Sequence, residues 1–290
     1  MIAPNPRFGA HLSVAGGLEK ACHAGASLGC DCLQVFVKNQ RQWSAGPLSR
    51  EHIRAFRQAR EAAGITPIVA HGSYLLNLAS PVPRTRSRSI KAMLDELKRC
   101  EALGIDHLVI HPGARMGDTL EAGIVRIARA LDQVLSGCPA GRTMILLETT
   151  AGQGSSIGHR FEHLEAILDS AGHPDRLGVC LDTCHLFAAG YDFRDRDGYR
   201  AMIDELDRTI TLPRVRCIHM NDSKRACGSR VDRHEHIGKG KIGKPGLAHF
   251  VNDLRFAGIP MILETPKGKD GRGTDLDKVN LKRLRGLVKK

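Results

Sequence analysis

The sequence is poor in aromatic residues. Phe, Trp and Tyr make up 4% of 290 residues, with a single tryptophan, Trp43. That argues against a nucleic-acid reader built on many base-stacking platforms. There is no C-x-x-C pair either. The nine cysteines, Cys22, Cys30, Cys32, Cys100, Cys138, Cys180, Cys184, Cys217 and Cys227, are odd in number and follow no repeating framework. They read as reduced, packed thiols rather than as disulfides or a thiolate zinc module. No stretch approaches the roughly 18 uninterrupted apolar residues of a membrane span. Met1 to Phe8 carries two prolines and Arg7 where a secretory leader would be apolar. A cytoplasmic protein with no membrane partner is therefore expected. Acidic residues are outnumbered, 31 against 43 Lys+Arg, a net charge of +12. That balance points to a polyanionic partner and says nothing about fold. Histidine, by contrast, is plentiful, at 14 residues, and its positions carry the argument.

Short apolar runs recur along the chain: Phe8–His11, Cys32–Lys38, Ile68–His71, Leu108–His111, Met144–Glu148, Leu177–Asp182, Val215–His219 and Met261–Glu264. Each is rich in branched apolar residues, as in a strand buried on both faces. Helical patterns lie between them. Ile53, Phe56 and Ala63 share one face between Leu48 and Gly64, with Ser49 placed to cap the start. Asp118-x-x-Glu121 resembles a capping box before Ile124, Ile127 and Leu131. Gly64, Gly104 and Gly258, each followed by isoleucine, are read as helix-closing glycines. Repeated βα units without a break in composition predict one domain over residues 1–290. The fold class is α/β, a single (β/α)8 barrel of the TIM type; an open, doubly wound sheet is the alternative.

The first polar residues reached at the strand ends are His11, Lys38–Asn39, His71, His111, Glu148, Asp182, His219 and Glu264. In a parallel barrel these ends meet on the C-terminal rim, where catalytic groups sit. A lone histidine ending a strand is more often a hydrogen-bonded structural residue than a ligand. Six such groups in one small volume, leaving His11 aside, need something to satisfy them, and divalent cations would. His185 follows three residues after Asp182, and Asp232 and His234 stand at i and i+2 on one side of an extended segment. His236 is the next alternate position. A mixed N/O set of this size suits two or three ions with shared carboxylates and open positions, not one closed tetrahedral zinc. Cys184 reads as a small packed residue. The stretch from Ala226 to Gly246 has no regular pattern and carries Arg230, Arg233, Lys239, Lys241 and Lys244. With Asp232 and His234 embedded in it, it reads as ordered by metal, its basic residues facing a polyanion. Arg84, Arg86, Arg88 and Lys91 form a second basic group. Lys282, Arg283, Arg285, Lys289 and Lys290 read as a solvated helix face. Gly152-Gln153-Gly154 lacks the Lys-Ser/Thr of a phosphate loop.

With these residues in place, the sequence resembles the endonuclease IV family of abasic-site DNA repair enzymes. The resemblance rests on Gly9–Gly17, Lys38–Trp43, His71–Leu78, His111–Gly113, Glu148–Gly154, Leu181–Asp192, His219–Lys224, Asp232–Gly238 and Glu264–Pro266, in order over nearly the whole chain. It implies a (β/α)8 barrel with three zinc ions that hydrolyses the phosphodiester 5′ to an abasic site in duplex DNA, leaving a 3′-hydroxyl and a 5′-deoxyribose phosphate. By position, it implies that His71, His111 and Glu148 hold one zinc, with Glu148 bridging to a second held by Asp182, His219 and Glu264. His185, Asp232 and His234 would hold the third, which leaves His236 out. Glu148 and Glu264 are the implied catalytic groups, Glu264 as ligand and proton acceptor. Arg41, Tyr74 and Leu75 match residues that the family inserts at the lesion, kinking the duplex so that a base-less sugar swings out. The sequence departs from the expected pattern at Thr149, where asparagine is expected, and at Gly72, where aspartate is expected.

The chemistry suits the ligand set independently. Two ions about 3.5–4 Å apart lower the pKa of a bridging water, and another stabilises the leaving 3′ oxygen. The main rival is a divalent-metal sugar isomerase or epimerase on the same barrel, which needs neither +12 nor an insertion set nor a third metal. A nucleic-acid-binding protein with structural zinc alone would need thiolate-rich sites. Nothing in the sequence calls for a dimer, so a monomer is expected.

Overall fold

The computed structural model describes residues 6–289. Met1 to Asn5, part of the segment weighed above as a leader, and Lys290 of the basic tail lie outside them. Strands and helices alternate: β1 (Arg7–His11), α1 (Leu18–Leu28), β2 (Cys32–Phe36), α2 (Arg50–Ala63), β3 (Ile68–His71), α3 (Pro83–Leu103), β4 (His107–Ile110), α4 (Leu120–Ser136), β5 (Met144–Glu148) and α5 (Phe161–Ser170). The second part runs β6 (Leu177–Asp182), α6 (Thr183–Ala189), α7 (Arg196–Thr209), β7 (Val215–His219), the short pair β8 (Asp222–Ser223) and β9 (His234–Glu235), α8 (Gly243–Val251), β10 (Pro260–Leu263) and α9 (Leu276–Arg285). Eight parallel strands close in the order β1-β10-β7-β6-β5-β4-β3-β2, so the open-sheet alternative is excluded. Among the described residues no helix is long and apolar enough to cross a membrane.

Side chains along these strands alternate between two cores. Residues such as Leu33, Ile68, Leu108, Leu147, Val179 and Ile218 pack outward against the helices. Cys32, Val69, Val109, Leu146, Cys180, Cys217 and Ile262 form a separate buried group inside the barrel. With a period of two, the residues two places on from that plug face the same interior, one layer nearer the rim. They are Gln34, His71, His111, Glu148, Asp182, His219 and Glu264. The candidate site is thus the polar lid of an apolar plug. Gly9 belongs to the same wall, where a Cβ would lie 1.9 Å from the Cys32 carbonyl oxygen; only glycine lets β1 approach β2 so closely. Between β6 and β7 the register shifts at Val179/Cys180, after which Asp182 stands opposite His219. Irregularities of this kind re-aim side chains beside active sites.

Several local expectations are refined. Ser49 caps α2, accepting from His52 N. At α4 the cap is Thr119, whose hydroxyl accepts from Ala122 N. Asp118 instead pairs with Arg126 at 2.7 Å through one oxygen and accepts from Thr119 N at 2.8 Å through the other. Gly64 and Gly104 close α2 and α3 in the left-handed conformation. Gly258, also left-handed, follows only a single 3-10 turn, Leu254–Phe256. The regular parts of β4 and β10 end one residue before His111 and Glu264, and β2 ends at Phe36, two residues before Lys38. The stretch 226–246 is not patternless: it contains β9 and the start of α8. Buried Asp222 gathers it, accepting from the amides of Gly240, Ile242 and Gly243 at 3.0–3.2 Å.

Candidate metal centre

Asp182 shows how local chain physics builds the site. Its Oδ1 accepts from His185 N at 2.8 Å, making it the N-cap of α6. A seven-residue helix starting on a strand end turns His185 back over the barrel mouth. This short element was missed in the sequence, where Asp182 and His185 appeared only as a spacing.

Glu148 lies at the centre, with no solvent exposure. Its Oε2 is 3.1 Å from both His71 Nε2 and His111 Nε2. Its Oε1 is 3.0 Å from His219 Nδ1 and 3.3 Å from His185 Nδ1. His219 Nδ1 also stands 3.2 Å from Glu264 Oε2 and 3.8 Å from Asp182 Oδ2. On the outer side, Asp232 approaches His185 Nε2 at 3.1 Å and His234 Nε2 at 3.3 Å. Asp182 Oδ2 reaches His234 Nε2 at 3.7 Å. Ligand-type atoms converge as His71/His111/Glu148, as Glu148/Asp182/His219/Glu264, and as Asp182/His185/His234. All nine rim residues singled out in the sequence lie in one connected cluster, Glu148 and Asp182 each belonging to two groups.

Hydrogen bonds fix which ring nitrogen four of the five histidines present. His71 Nδ1 donates to Gly72 O at 2.7 Å, His185 Nδ1 to Thr149 O at 2.8 Å, and His234 Nδ1 to Glu264 O at 3.1 Å. In each, Nε2 is left facing the cluster, where loss of its proton would free a lone pair for a cation. His219 is reversed: Nε2 donates to Gln34 Oε1 at 2.7 Å, so Nδ1 faces the carboxylates. His185 Nε2 and His234 Nε2 are buried without a hydrogen-bond partner, although Asp232 lies within 3.3 Å of both. These nitrogens are close to the carboxylate without pointing at it. Two buried imidazole nitrogens without a partner, set among carboxylates, are what a cation would satisfy, so the residues present fit the implied metal.

Charge is balanced by protons in the metal-free chain. Burial works against ionisation of His185 and His234, yet the charge of Asp182 and the Asp232 carboxylate close beside both rings outweigh it. His185 stands well above its ordinary value and His234 is raised to about 9. Burial likewise opposes ionisation of Glu148 and Glu264. The facing His219, with His111 beside Glu148 and His11 beside Glu264, holds both carboxyls well below their usual range. Cys184 also lies near Asp232 and His234, but burial pushes its thiol up to about 12, which agrees with the packed reading. Cys180, Cys217 and His219 form a further close group at the plug layer.

Some functional neighbours were not foreseen. Gln34 Nε2 donates to Glu264 Oε1 at 2.6 Å and to His11 Nδ1 at 2.9 Å, so one amide orients two cluster members. His11, set aside above, is drawn in 3.2 Å from Glu264. Asn221 donates to Asp182 Oδ2 at 2.7 Å and accepts from Glu264 N at 2.8 Å. His236 turns away to Asn280, 3.0 Å distant. Of the two departures, Thr149 Oγ1 accepts from Asp182 N at 2.9 Å. At Gly72 a Cβ would come within 3.2 Å of Glu96 Oε2, so an aspartate there would meet a carboxylate already in place.

Beside the cluster, Tyr74 is 60% exposed, its ring 5.3 Å from that of His71 and 5.9 Å from that of His111. Leu75 is partly buried and Arg41 exposed. Arg230, Arg233, Lys239, Lys241 and Lys244 of the 226–246 stretch, which also carries Asp232 and His234, are all exposed.

Comparison with known proteins agrees with this geometry. Residues 22–285 match the family described as xylose isomerase-like TIM barrel. The chain is 53% identical over 284 residues to the protein named "Probable endonuclease 4" of Chloroflexus aggregans, covering 98% of each. It is 49% identical to its namesake in Geobacter sulfurreducens, covering 99% of this chain and 96% of the other. The crystal structure of endonuclease IV from Thermus thermophilus superposes with a TM-score of 0.86 at 38% identity, over 97% of this chain and 98% of that one. A D-tagatose 3-epimerase-like protein superposes with a TM-score of 0.73 at 18% identity, over 97% and 96%, a likeness of fold alone. Identity sustained over the whole length by these relatives settles the matter: the chain belongs to the endonuclease IV family.

Proposed function

We propose that this protein is a DNA repair endonuclease that hydrolyses the phosphodiester 5′ to abasic sites in duplex DNA, with three zinc ions per chain. One observation carries the reading: nine imidazole and carboxylate groups bring their ligand-type atoms together at one rim, beside the exposed ring of Tyr74. In this reading His71, His111 and Glu148 hold one ion, and Glu148, Asp182, His219 and Glu264 a second. His185, Asp232 and His234 hold the third, with Asp182 close enough to help. Bound there, the ions supply Lewis acidity, activating the attacking water and stabilising the leaving 3′ oxygen.

The chain's own groups do the rest. Glu264, held by Gln34 and His11, is placed to receive a proton from the attacking water. Water oxygen bonds to phosphorus as the bond to the 3′ oxygen breaks, and the leaving oxygen takes up a proton from solvent, giving a 3′-hydroxyl and a 5′-deoxyribose phosphate. Arg41, Tyr74 and Leu75 enter the duplex at the lesion, and the basic residues of 226–246 bind its backbone. The enzyme acts as a monomer of one domain over residues 1–290, in the cytoplasm, where the bacterial relatives keep their DNA. Against a sugar isomerase stand the 53% identity to endonucleases and a donor set larger than one or two ions need.

The test is incision of duplex DNA bearing a single abasic site, with and without a zinc chelator. Chelator-sensitive cleavage, restored by zinc and yielding a 3′-hydroxyl, is expected. No chelator-sensitive incision would sink the proposal.

A further inference from the structure

The residues read as entering DNA sit on two separate loops, Arg41 after β2 and Tyr74–Leu75 after β3. One hydrogen bond joins the residues just ahead of each: Ser73 Oγ donates to Gln40 O at 2.6 Å. The same hydroxyl accepts from Leu75 N at 3.2 Å. Ser73 is buried, although its neighbour Tyr74 is among the most exposed large apolar side chains.

Ser73 is itself anchored. Its amide lies 3.3 Å from both carboxylate oxygens of Glu96 on α3. Lys38 Nζ closes the other side of that carboxylate at 3.2 Å, and both side chains are 1% exposed. The ammonium also donates to Trp43 O at 3.0 Å and Ala92 O at 3.3 Å. Further along α3, Arg99 donates to Ala45 O and Gly46 O, and the Arg88 guanidinium lies 4.4 Å over the Trp43 ring. A single helix therefore seats both loops, and the Lys38–Glu96 pair is the point at which they meet.

A fully buried ion pair is a poor way to gain stability, because well-packed apolar residues serve as well or better. This pair supplies fixed geometry: an apolar replacement would offer nothing to Ser73 N or to Trp43 O. We infer that Ser73, Lys38 and Glu96 are positioning residues that set the spacing between Arg41 and Tyr74–Leu75. The rim then meets duplex DNA with its insertion set already assembled. This rests on the insertion reading proposed above. Preassembly moves the cost of ordering two loops from DNA binding to folding. It favours the abasic site, which the insertion set must enter together, over intact duplex held mainly through phosphates.

The experiment compares S73A, the double variant K38M/E96L and, in parallel, Y74A. Affinity for abasic and for intact duplex, kcat and KM, metal content and Trp43 emission are measured for each. K38M/E96L removes the pair without leaving a buried charge alone. S73A is expected to weaken abasic-duplex binding about three- to tenfold, the worth of one net hydrogen bond. The loss should appear in KM more than in kcat, with intact-duplex binding little changed. K38M/E96L should lose more, with metal content retained and a shift in emission from the single tryptophan. Equal losses on both duplexes, or folded, metal-bound variants with unchanged abasic preference, would overturn the inference. If K38M/E96L does not fold, S73A decides alone. If Y74A keeps full abasic preference, the insertion reading falls and takes this one with it. If Y74A loses the preference while S73A keeps it, only the positioning role falls.

Discussion

Changing Glu148 to glutamine removes one charge from the centre of the cluster and almost no volume. The carboxylate is fully buried and lies 3.0–3.3 Å from four imidazole nitrogens. An amide in its place keeps one acceptor and turns N–H donors toward nitrogens that need an anion or a cation. Removing one partner of a buried charged set costs about 3–5 kcal/mol, which is roughly two to three and a half decades in affinity. Glu148 belongs to both the His71/His111 group and the Asp182/His219/Glu264 group, so the loss falls on two ions together. After dialysis, elemental analysis should find the E148Q content lower by two zinc ions, with the outer one kept. Asp232→Asn should lose only the outer ion. Each ion lost at a hundredfold excess over its Kd removes about 2.7 kcal/mol of stability, so E148Q should melt well below D232N. If E148Q keeps its full complement, or loses a single ion, Glu148 does not bridge and the two-group reading is wrong.

Metal uptake should release protons. With His234 raised to about 9, the metal-free chain carries a proton there at neutral pH that an ion must displace. Apparent zinc affinity should therefore climb with pH and level off near 9; calorimetry in buffers of different ionisation enthalpy would show the release, and its absence would refute the protonated cluster. His163, lowered to about 4 by burial and by its neighbour His159, has an opposite consequence for folding. Its folded value lies below the ordinary 6.5, so the unfolded chain binds more protons between those limits. Its contribution is full above 6.5 and is lost as pH falls toward 4, by about 1–2 kcal/mol after discounting for solvent screening of a half-exposed ring. Denaturant midpoints for wild type and H163Q should converge at low pH; parallel curves would contradict this. Replacing Arg230, Arg233, Lys239, Lys241 and Lys244 with glutamine should flatten the plot of log affinity against log salt by up to about 4.5, at about 0.9 for each phosphate no longer neutralised. An unchanged slope would place the DNA backbone elsewhere.

A closed parallel barrel turns order along the chain into position in space, which is why the donor set was legible before any fold was seen. Once the strands close, the residues two places beyond the plug layer share one interior level. Gln34 obeys the same rule, two residues beyond Cys32, yet a lone glutamine within Cys-Leu-Gln-Val-Phe-Val carries no ligand chemistry to draw attention. What it does is visible only across strands, through His219 and Glu264 at separations of 185 and 230 residues. The same limit hid Asp222, whose amide partners lie 18–21 residues downstream, so the stretch it organises looked patternless. At α4 two adjacent capping residues competed, and Arg126, eight residues on from Asp118, decided for Thr119. Local pattern therefore names the groups that can hold a metal. Contacts remote in sequence decide which nitrogen His185, His219 and His234 present and where each carboxylate points. Substitutions at Gln34 or Asn221 should accordingly reorganise the centre, although neither residue carries a charge or stands in the proposed ligand set.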